Sequence, residues 1–131
     1  VEVDLELGAT KVLQICAAHD VGRAINPIQV EGQIHGGVLQ GLGLALMEEY
    51  VPGRTENLHD YLIPTIGDVP AMECILVEDH EPLGPHGAKG VGEPGLIPTA
   101  PAILGAIQHA TGVRMHELPV LPHRLRAALK N

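Results

Sequence analysis

The chain contains no phenylalanine and no tryptophan, and Tyr50 and Tyr61 are its only tyrosines. Its core must therefore be assembled from Leu, Ile, Val, Ala and Met, which dominate the 45% hydrophobic content. Basic residues are also scarce, 8 Lys and Arg against 16 Asp and Glu for a net charge of −8, and they gather only in the last ten residues. That balance argues against a nucleic-acid partner, because neutralising phosphates needs a basic surface. The two cysteines, Cys16 and Cys74, stand apart with no CxxC or metal-type spacing. They read as buried free thiols in a reducing, cytoplasmic compartment rather than as a disulfide. No apolar run reaches the roughly 18 residues of a membrane span and no signal peptide is present, so a soluble chain without a membrane partner is expected. Among the eight histidines no i,i+4 pair carries the accompanying carboxylate of a zinc site, so no protein-held metal is expected. His19, beside Asp20, and His35 are the two histidines of interest; the others read as surface or satisfied core residues.

What remains is enough for one domain. A length of 131 residues can bury a real core. The chain opens at Val1 without Met, inside an alternating segment, which suggests a piece of something longer. Val1 to Leu5 alternates as a half-buried strand does, a turn falls near Gly8-Ala9-Thr10, and Lys11 to Ala18 reads as the hairpin partner. Asn26-Pro27 reads as an N-cap followed by proline in the first turn of a helix that runs to about Glu49 and breaks before Pro52-Gly53. Leu58 to Gly67 is an irregular crossing. Met72 to Glu78 is a strand with Glu73, Ile75 and Val77 on one side. A second helix is expected from Pro98 to Ala110 with Gly112 as its C-cap. Leu118 to Pro122 is extended, and Leu121 to Leu129 forms a closing helix. The expected fold class is α+β, a mixed or antiparallel sheet packed on helices in two layers, in a single domain over residues 1–131.

Two glycine-rich stretches concentrate the chemistry. Gly84 to Gly95 holds five glycines, two prolines and the single carboxylate Glu93. Glycines let a backbone approach a ligand closely, and prolines fix the turns between them. Glu93 so held is a candidate for chemistry; the bland reading is a solvated side chain on a surface loop. The first helix carries Gly32, Gly36, Gly37, Gly41 and Gly43, each costing about 1 kcal/mol relative to Ala. At about 100° per residue Gln33, Gly37 and Gln40 share a face with Gly36 beside them, and Ile34, Val38, Leu42 and Ala45 form an apolar stripe opposite. Either the GxxxG pairs Gly32/Gly36 and Gly37/Gly41 pack closely on a neighbour, or a large polar ligand lies along the Gln33/Gly37 face. In the second case the free N–H groups of the helix start would favour phosphate. Gly90-Val91-Gly92-Glu93-Pro94-Gly95 also matches GxGxxG. Its context is wrong for a dinucleotide fold, since the nearest strand ends well before it and Pro94 interrupts the turn.

Four ordered segments together resemble the C-terminal part of molybdenum hydroxylase large subunits, the family of xanthine dehydrogenase, aldehyde oxidase and carbon monoxide dehydrogenase. They are His19 to Pro27, Glu31 to Gly43, the DYxxPT-like Asp60 to Thr65, and Ala88 to Pro94. The resemblance implies that Gln33 hydrogen-bonds the pterin of a molybdopterin-type cofactor. Gly32, Gly36, Gly37, Lys89, Gly90, Val91 and Gly92 would help to hold it. It implies that Glu93 is the general base, taking the proton from a Mo–OH whose oxygen attacks an electron-poor carbon while hydride passes to Mo=S. The metal would be held by the cofactor dithiolene, so no Cys or His ligand is needed. A carboxylate suits this role where partial desolvation raises its proton affinity. The substrate would be a purine-like N-heterocycle or an aldehyde, the cofactor a cytosine dinucleotide form if the source is bacterial. The 2Fe-2S clusters, FAD and the rest of the large subunit would lie on other domains or subunits, leaving this piece inactive alone. Gly95, where relatives often carry proline or another small residue, is expected to loosen the loop. Two other classes remain open: a non-catalytic stand-alone binding or assembly module of the same fold, and an unrelated nucleotide-binding domain.

Overall fold

The computed structural model describes residues 1–130. In chain order its elements are β1 (Glu2–Asp4), β2 (Ala9–Lys11), β3 (Gln14–Asp20), α1 (Pro27–Leu46), β4 (Ala71–Val77), α2 (Thr99–Thr111) and α3 (Pro122–Leu129). Single 3-10 turns occupy Ile66–Asp68 and Pro85–Gly87.

β1 and β2 form the expected hairpin, with Val3 opposite Thr10, but the returning strand ends at Lys11. The longer strand β3 is not part of it. It pairs in parallel with β4, from Gln14 opposite Ala71 to Asp20 opposite Val77. Period-2 alternation marks a strand without naming its mate, and a parallel mate lies across a long crossover. Here the crossover contains α1. The class is α+β, in the form of two separate two-stranded sheets, one antiparallel and one parallel.

α1 starts as its sequence directs. Asn26 is extended (φ −136°) and its side-chain oxygen accepts from Gln29 N at 3.3 Å, with Pro27 at the first helical position. The helix closes at Leu46, earlier than Glu49, because Met47 N and Glu48 N both donate to Gly43 O (2.9 and 2.8 Å). Its buried stripe comprises Ile34, Gly37, Val38, Gly41, Leu42, Gly43 and Ala45. Leu42 and Ala45 enter the larger core with Val12, Ala100, Ile103, Ile107, Val120 and Leu125. Ile34 and Val38 join Val21 in a smaller one, on which Met72, Cys74 and Leu76 of β4 pack. Burying an aliphatic side chain of the size of Leu42, Ile107 or Leu125 contributes about 1.5–3 kcal/mol, so one helix ties both clusters together.

The open face of β4 carries Glu73, Ile75 and Val77, as the alternation indicated. The same alternation corrects the cysteines. Cys16 falls on an outward position of β3 and is exposed, while Cys74 is half-buried; both are free thiols. Burial pushes the Cys74 thiol above its ordinary range, with the Glu31 charge adding to it. α2 ends where expected, at Gly112 with φ 77°. α3 is secured by Arg124, which pairs with Glu49 and donates to Pro119 O at 3.0 Å.

Candidate functional site

The glycine-rich loop is fastened at both ends. Beyond β3, Val21 N donates to Val77 O (3.0 Å), Lys89 N to Val21 O (3.0 Å) and Arg23 N to Gly87 O (2.8 Å). Gly22 forms an antiparallel bridge with Ala88. Gly22 sits at φ +60°, and a Cβ there would lie 2.4 Å from Gly87 O, so no other residue fits this junction. Lys89 closes the upstream end. Its Nζ lies 2.5 Å from Asp20 Oδ2 and 3.5 Å from Asp79 Oδ2, while Asp20 Oδ1 accepts from Gly22 N at 3.0 Å. The Lys89 hydrogen bond, helped by the Gly22 N–H, holds Asp20 below the usual carboxylate range. The same bond from Asp20 raises Lys89. Lys89, expected as a cofactor contact, therefore has its charge matched within the chain.

Downstream, Glu93 O accepts from Leu96 N (2.9 Å) and Ile97 N (3.2 Å). Gly95 then seats directly on α1, where a Cβ would lie 3.0 Å from Ile34 O and 3.2 Å from Ile34 Cα. Gly37 faces it from the helix, its Cβ position 2.9 Å from Leu96 N and 3.0 Å from Gly95 C. One turn on, a Cβ at Gly41 would lie 2.5 Å from Thr99 Cβ, and Thr99 Oγ1 donates to Gly95 O at 2.8 Å. Two expectations change. Gly95 tightens the loop rather than loosening it, because it is the point at which loop backbone meets helix backbone. Gly37, assigned to the ligand face, is covered by Gly95 and Leu96. The pair Gly37/Gly41 serves close packing.

The other glycines behave differently. At Gly32, Gly36, Gly90 and Gly92 a Cβ would meet nothing within 4 Å. Between helix and loop lies a cleft of about 440 Å³ whose lining includes Arg23, Asn26, Gln29 and Gln33 on one side and Lys89, Val91 and Gly92 on the other. Gln33 and the loop, 55 residues apart or more, are thus brought to one concavity. Glu93 follows Gly92 immediately and is exposed; it is not itself part of the lining. Its carboxylate, and the backbone N–H groups of Gly90, Val91, Gly92 and Glu93, have no hydrogen-bond partner among the described residues. The helix start offers less than expected. Pro27 has no N–H, Gln29 N is capped by Asn26 Oδ1 and Val30 N donates to Asn26 O. Arg23 escaped the sequence reading, although it lies inside the quoted His19–Pro27 segment; it makes no ion pair among the described residues. The DYxxPT-like segment is fastened to the far end of α1, where Tyr61 Oη donates to Glu48 Oε2 at 2.7 Å and thereby raises the phenol's pKa.

Among the described residues no group of three or more His, Cys, Asp or Glu is placed to hold a metal ion, and no helix is long and apolar enough to cross a membrane. The cleft is thus walled by a helix bearing the Gln29 and Gln33 amides and by a clamped loop whose N–H groups are unpaired among the described residues. The molybdopterin cofactor-binding domain family matches residues 1–70, and the chain belongs to that family. It is 43% identical over 129 residues to a putative xanthine dehydrogenase molybdenum-binding subunit of Escherichia coli, covering 94% of this chain and 17% of that one. The aldehyde oxidoreductase of Desulfovibrio gigas superposes with a TM-score of 0.95 at 38% identity, over 98% of this chain and 14% of that one. Quinoline 2-oxidoreductase of Pseudomonas putida gives 0.92 at 36%, over 98% of this chain and 17% of that one. The resemblance to molybdenum hydroxylase large subunits is borne out, and the chain spans about a sixth of the length of such relatives.

Proposed function

We propose that this chain supplies one wall of the cofactor site and the catalytic base of a molybdenum hydroxylase large subunit, as the C-terminal segment of its cofactor-binding part. The observation that carries the proposal is the cleft that brings Gln33 and Arg23 opposite Val91 and Gly92 of the loop, with the unpaired Glu93 next in the chain. Its donor set fits a molybdopterin cofactor. The Gln33 amide both donates and accepts, as a pterin edge requires. The free N–H groups of Gly90, Val91 and Gly92 suit anionic or carbonyl oxygens, and Arg23 adds a cation for a phosphate. Open space at Gly92, which lines the cleft, admits a ring or chain where a side chain would stand. When bound, the cofactor supplies a molybdenum centre that takes two electrons from the substrate carbon and delivers a water-derived oxygen to it.

The protein's own part in the chemistry falls to Glu93. Its carboxylate oxygen accepts the proton released as the nucleophile forms, and the clamps at Lys89 and Gly95 hold the backbone that presents it. The carboxylate is exposed in this chain, so the desolvation that matches a general base to its task comes from what covers the face. Exposed Ile28 (81%), Leu83 (95%) and Ile97 (66%) suit burial against the remainder of the large subunit. Iron–sulfur and FAD-bearing partners would receive the electrons. The relatives' names favour an electron-poor carbon of an N-heterocycle or an aldehyde as substrate; the family resemblance implies a cytosine dinucleotide form of the cofactor if the source is bacterial. The free thiols at Cys16 and Cys74 suit a cytoplasmic setting.

The test is Glu93→Gln in the complete, cofactor-loaded assembly. Molybdenum content should be unchanged while kcat falls by about 10²–10⁴, the usual contribution of a positioned acid–base group. Unchanged turnover would remove Glu93 from the base role.

A further inference from the structure

We infer that Lys89 and Asp20 form a latch that positions Glu93, so that Lys89 acts on the loop rather than on the cofactor. The inference rests on Glu93 being the base. Three separate pieces of chain converge on one ammonium: the last residue of β3 (Asp20), the stretch just past β4 (Asp79) and the loop itself. Asp20 contributes both oxygens, Oδ2 to Lys89 and Oδ1 to the Gly22 N–H. It therefore fixes the strand-end turn and the loop in the same act. From Lys89 to Glu93 intervene only Gly90, Val91 and Gly92, whose N–H groups are unpaired among the described residues. Two of the three are glycines with open space around them. The next fixed points are the Glu93 carbonyl, which accepts from Leu96 N and Ile97 N, and Gly95 on α1. Glu93 thus hangs between two anchors, with nothing of its own to hold the side chain. The upstream anchor is the ion pair of Lys89; the downstream one is backbone packing at Gly95 with the Thr99 hydroxyl on its carbonyl.

The charge pattern sets what happens when the latch opens. Removing the ammonium leaves the Asp20 and Asp79 carboxylates facing each other without a cation, so the strand ends repel as well as losing a tether. Neutralising Asp20 leaves Lys89 with Asp79 still in reach. Loss of lysine is therefore worse than loss of the aspartate's charge. A lysine that served the cofactor would instead lose molybdenum in Lys89→Met and show no loss of activity in Asp20→Asn, because that change would set its charge free to bind.

The experiment uses the full-length subunit in its assembly, loaded with cofactor, as Lys89→Met, Asp20→Asn and Lys89→Arg. Hydrogen exchange at amides 22, 23 and 89, molybdenum content, kcat and KM are measured for each. A latch predicts that Lys89→Met speeds exchange at amides 22, 23 and 89, which are hydrogen-bonded across the junction, about tenfold or more and lowers kcat at least about tenfold, since small misplacements of reacting groups are costly. KM and molybdenum content stay at their original values, Asp20→Asn gives a smaller change of the same kind, and Lys89→Arg recovers both readouts. Unchanged exchange in Lys89→Met overturns the latch, and so does loss of molybdenum in that variant with exchange unaltered. Full activity of Glu93→Gln would remove the base and leave the exchange result standing, so the two ideas fail separately.

Discussion

Neighbouring glycines on α1 should respond in opposite directions to the same substitution. At Gly36 an added Cβ meets nothing within 4 Å, so Gly36→Ala gains the helix propensity of alanine, about 0.5–1 kcal/mol. At Gly37 the same methyl lies 2.9 Å from Leu96 N, 3.0 Å from Gly95 C and 3.1 Å from Gly95 Cα. All three are backbone atoms of a loop that is pinned on its far side by Thr99, so no rotamer change relieves them. Overpacking of that kind costs about 1–3 kcal/mol, which outweighs the propensity gain and leaves Gly37→Ala destabilised by about 0.5–2 kcal/mol. Native-state hydrogen exchange of α1 and of residues 93–97 in the cofactor-free large subunit reads this locally. Gly36→Ala should slow exchange in α1 by up to about fivefold, and Gly37→Ala should speed it at both places by a similar or larger factor. Equal tolerance of the two substitutions would refute the claim that loop and helix meet backbone to backbone at Gly37.

Other expectations follow from the same geometry. Gln33→Ala should lower molybdenum and pterin content in the purified assembly without changing the exchange of the 93–97 loop, because Gln33 lines the cleft but is not part of the clamp. The latch should be insensitive to pH across the neutral range. Asp20 is lowered in the folded chain, so its share is complete above the ordinary value of about 3.9 and is lost as pH falls through the lower folded value. Lys89 is raised, so its share is complete below about 10.4 and is lost as pH rises through the higher folded value. Exchange at amides 22, 23 and 89, corrected for its intrinsic pH dependence, should accordingly be flat from about pH 5 to 9. A transition inside that window would contradict the pairing.

Local signals in the chain were legible where one residue acts on its own neighbours. The Asn26-Pro27 cap, the Gly112 stop and the apolar stripe Ile34, Val38, Leu42, Ala45 all follow from short-range chemistry and all appear. Failures share a cause, which is that sequence spacing gives a face but not what covers it. The wheel that put Gly37 beside Gln33 is correct as geometry, yet the covering backbone comes from Gly95 and Leu96, 58 residues on. Alternation identified β3 and missed its parallel mate for the same reason. The partner of Lys89 lies 69 positions away, with nothing local to announce it. Gly95 looked like slack because a glycine in isolation is flexible; a Cβ there would press on the Ile34 backbone at 3.0 Å. The family resemblance supplied Gln33 and Glu93, and only the fold separates the glycines that pack from those that leave room.

The most direct measurement is the structure of the complete large subunit with its cofactor bound. The account requires the pterin in the cleft between Gln33 and the Val91–Gly92 backbone, with the metal beside the Glu93 carboxylate and Lys89 still on Asp20. Cofactor lying against another face of these residues, with Gln33 and Glu93 both turned to solvent, would contradict it.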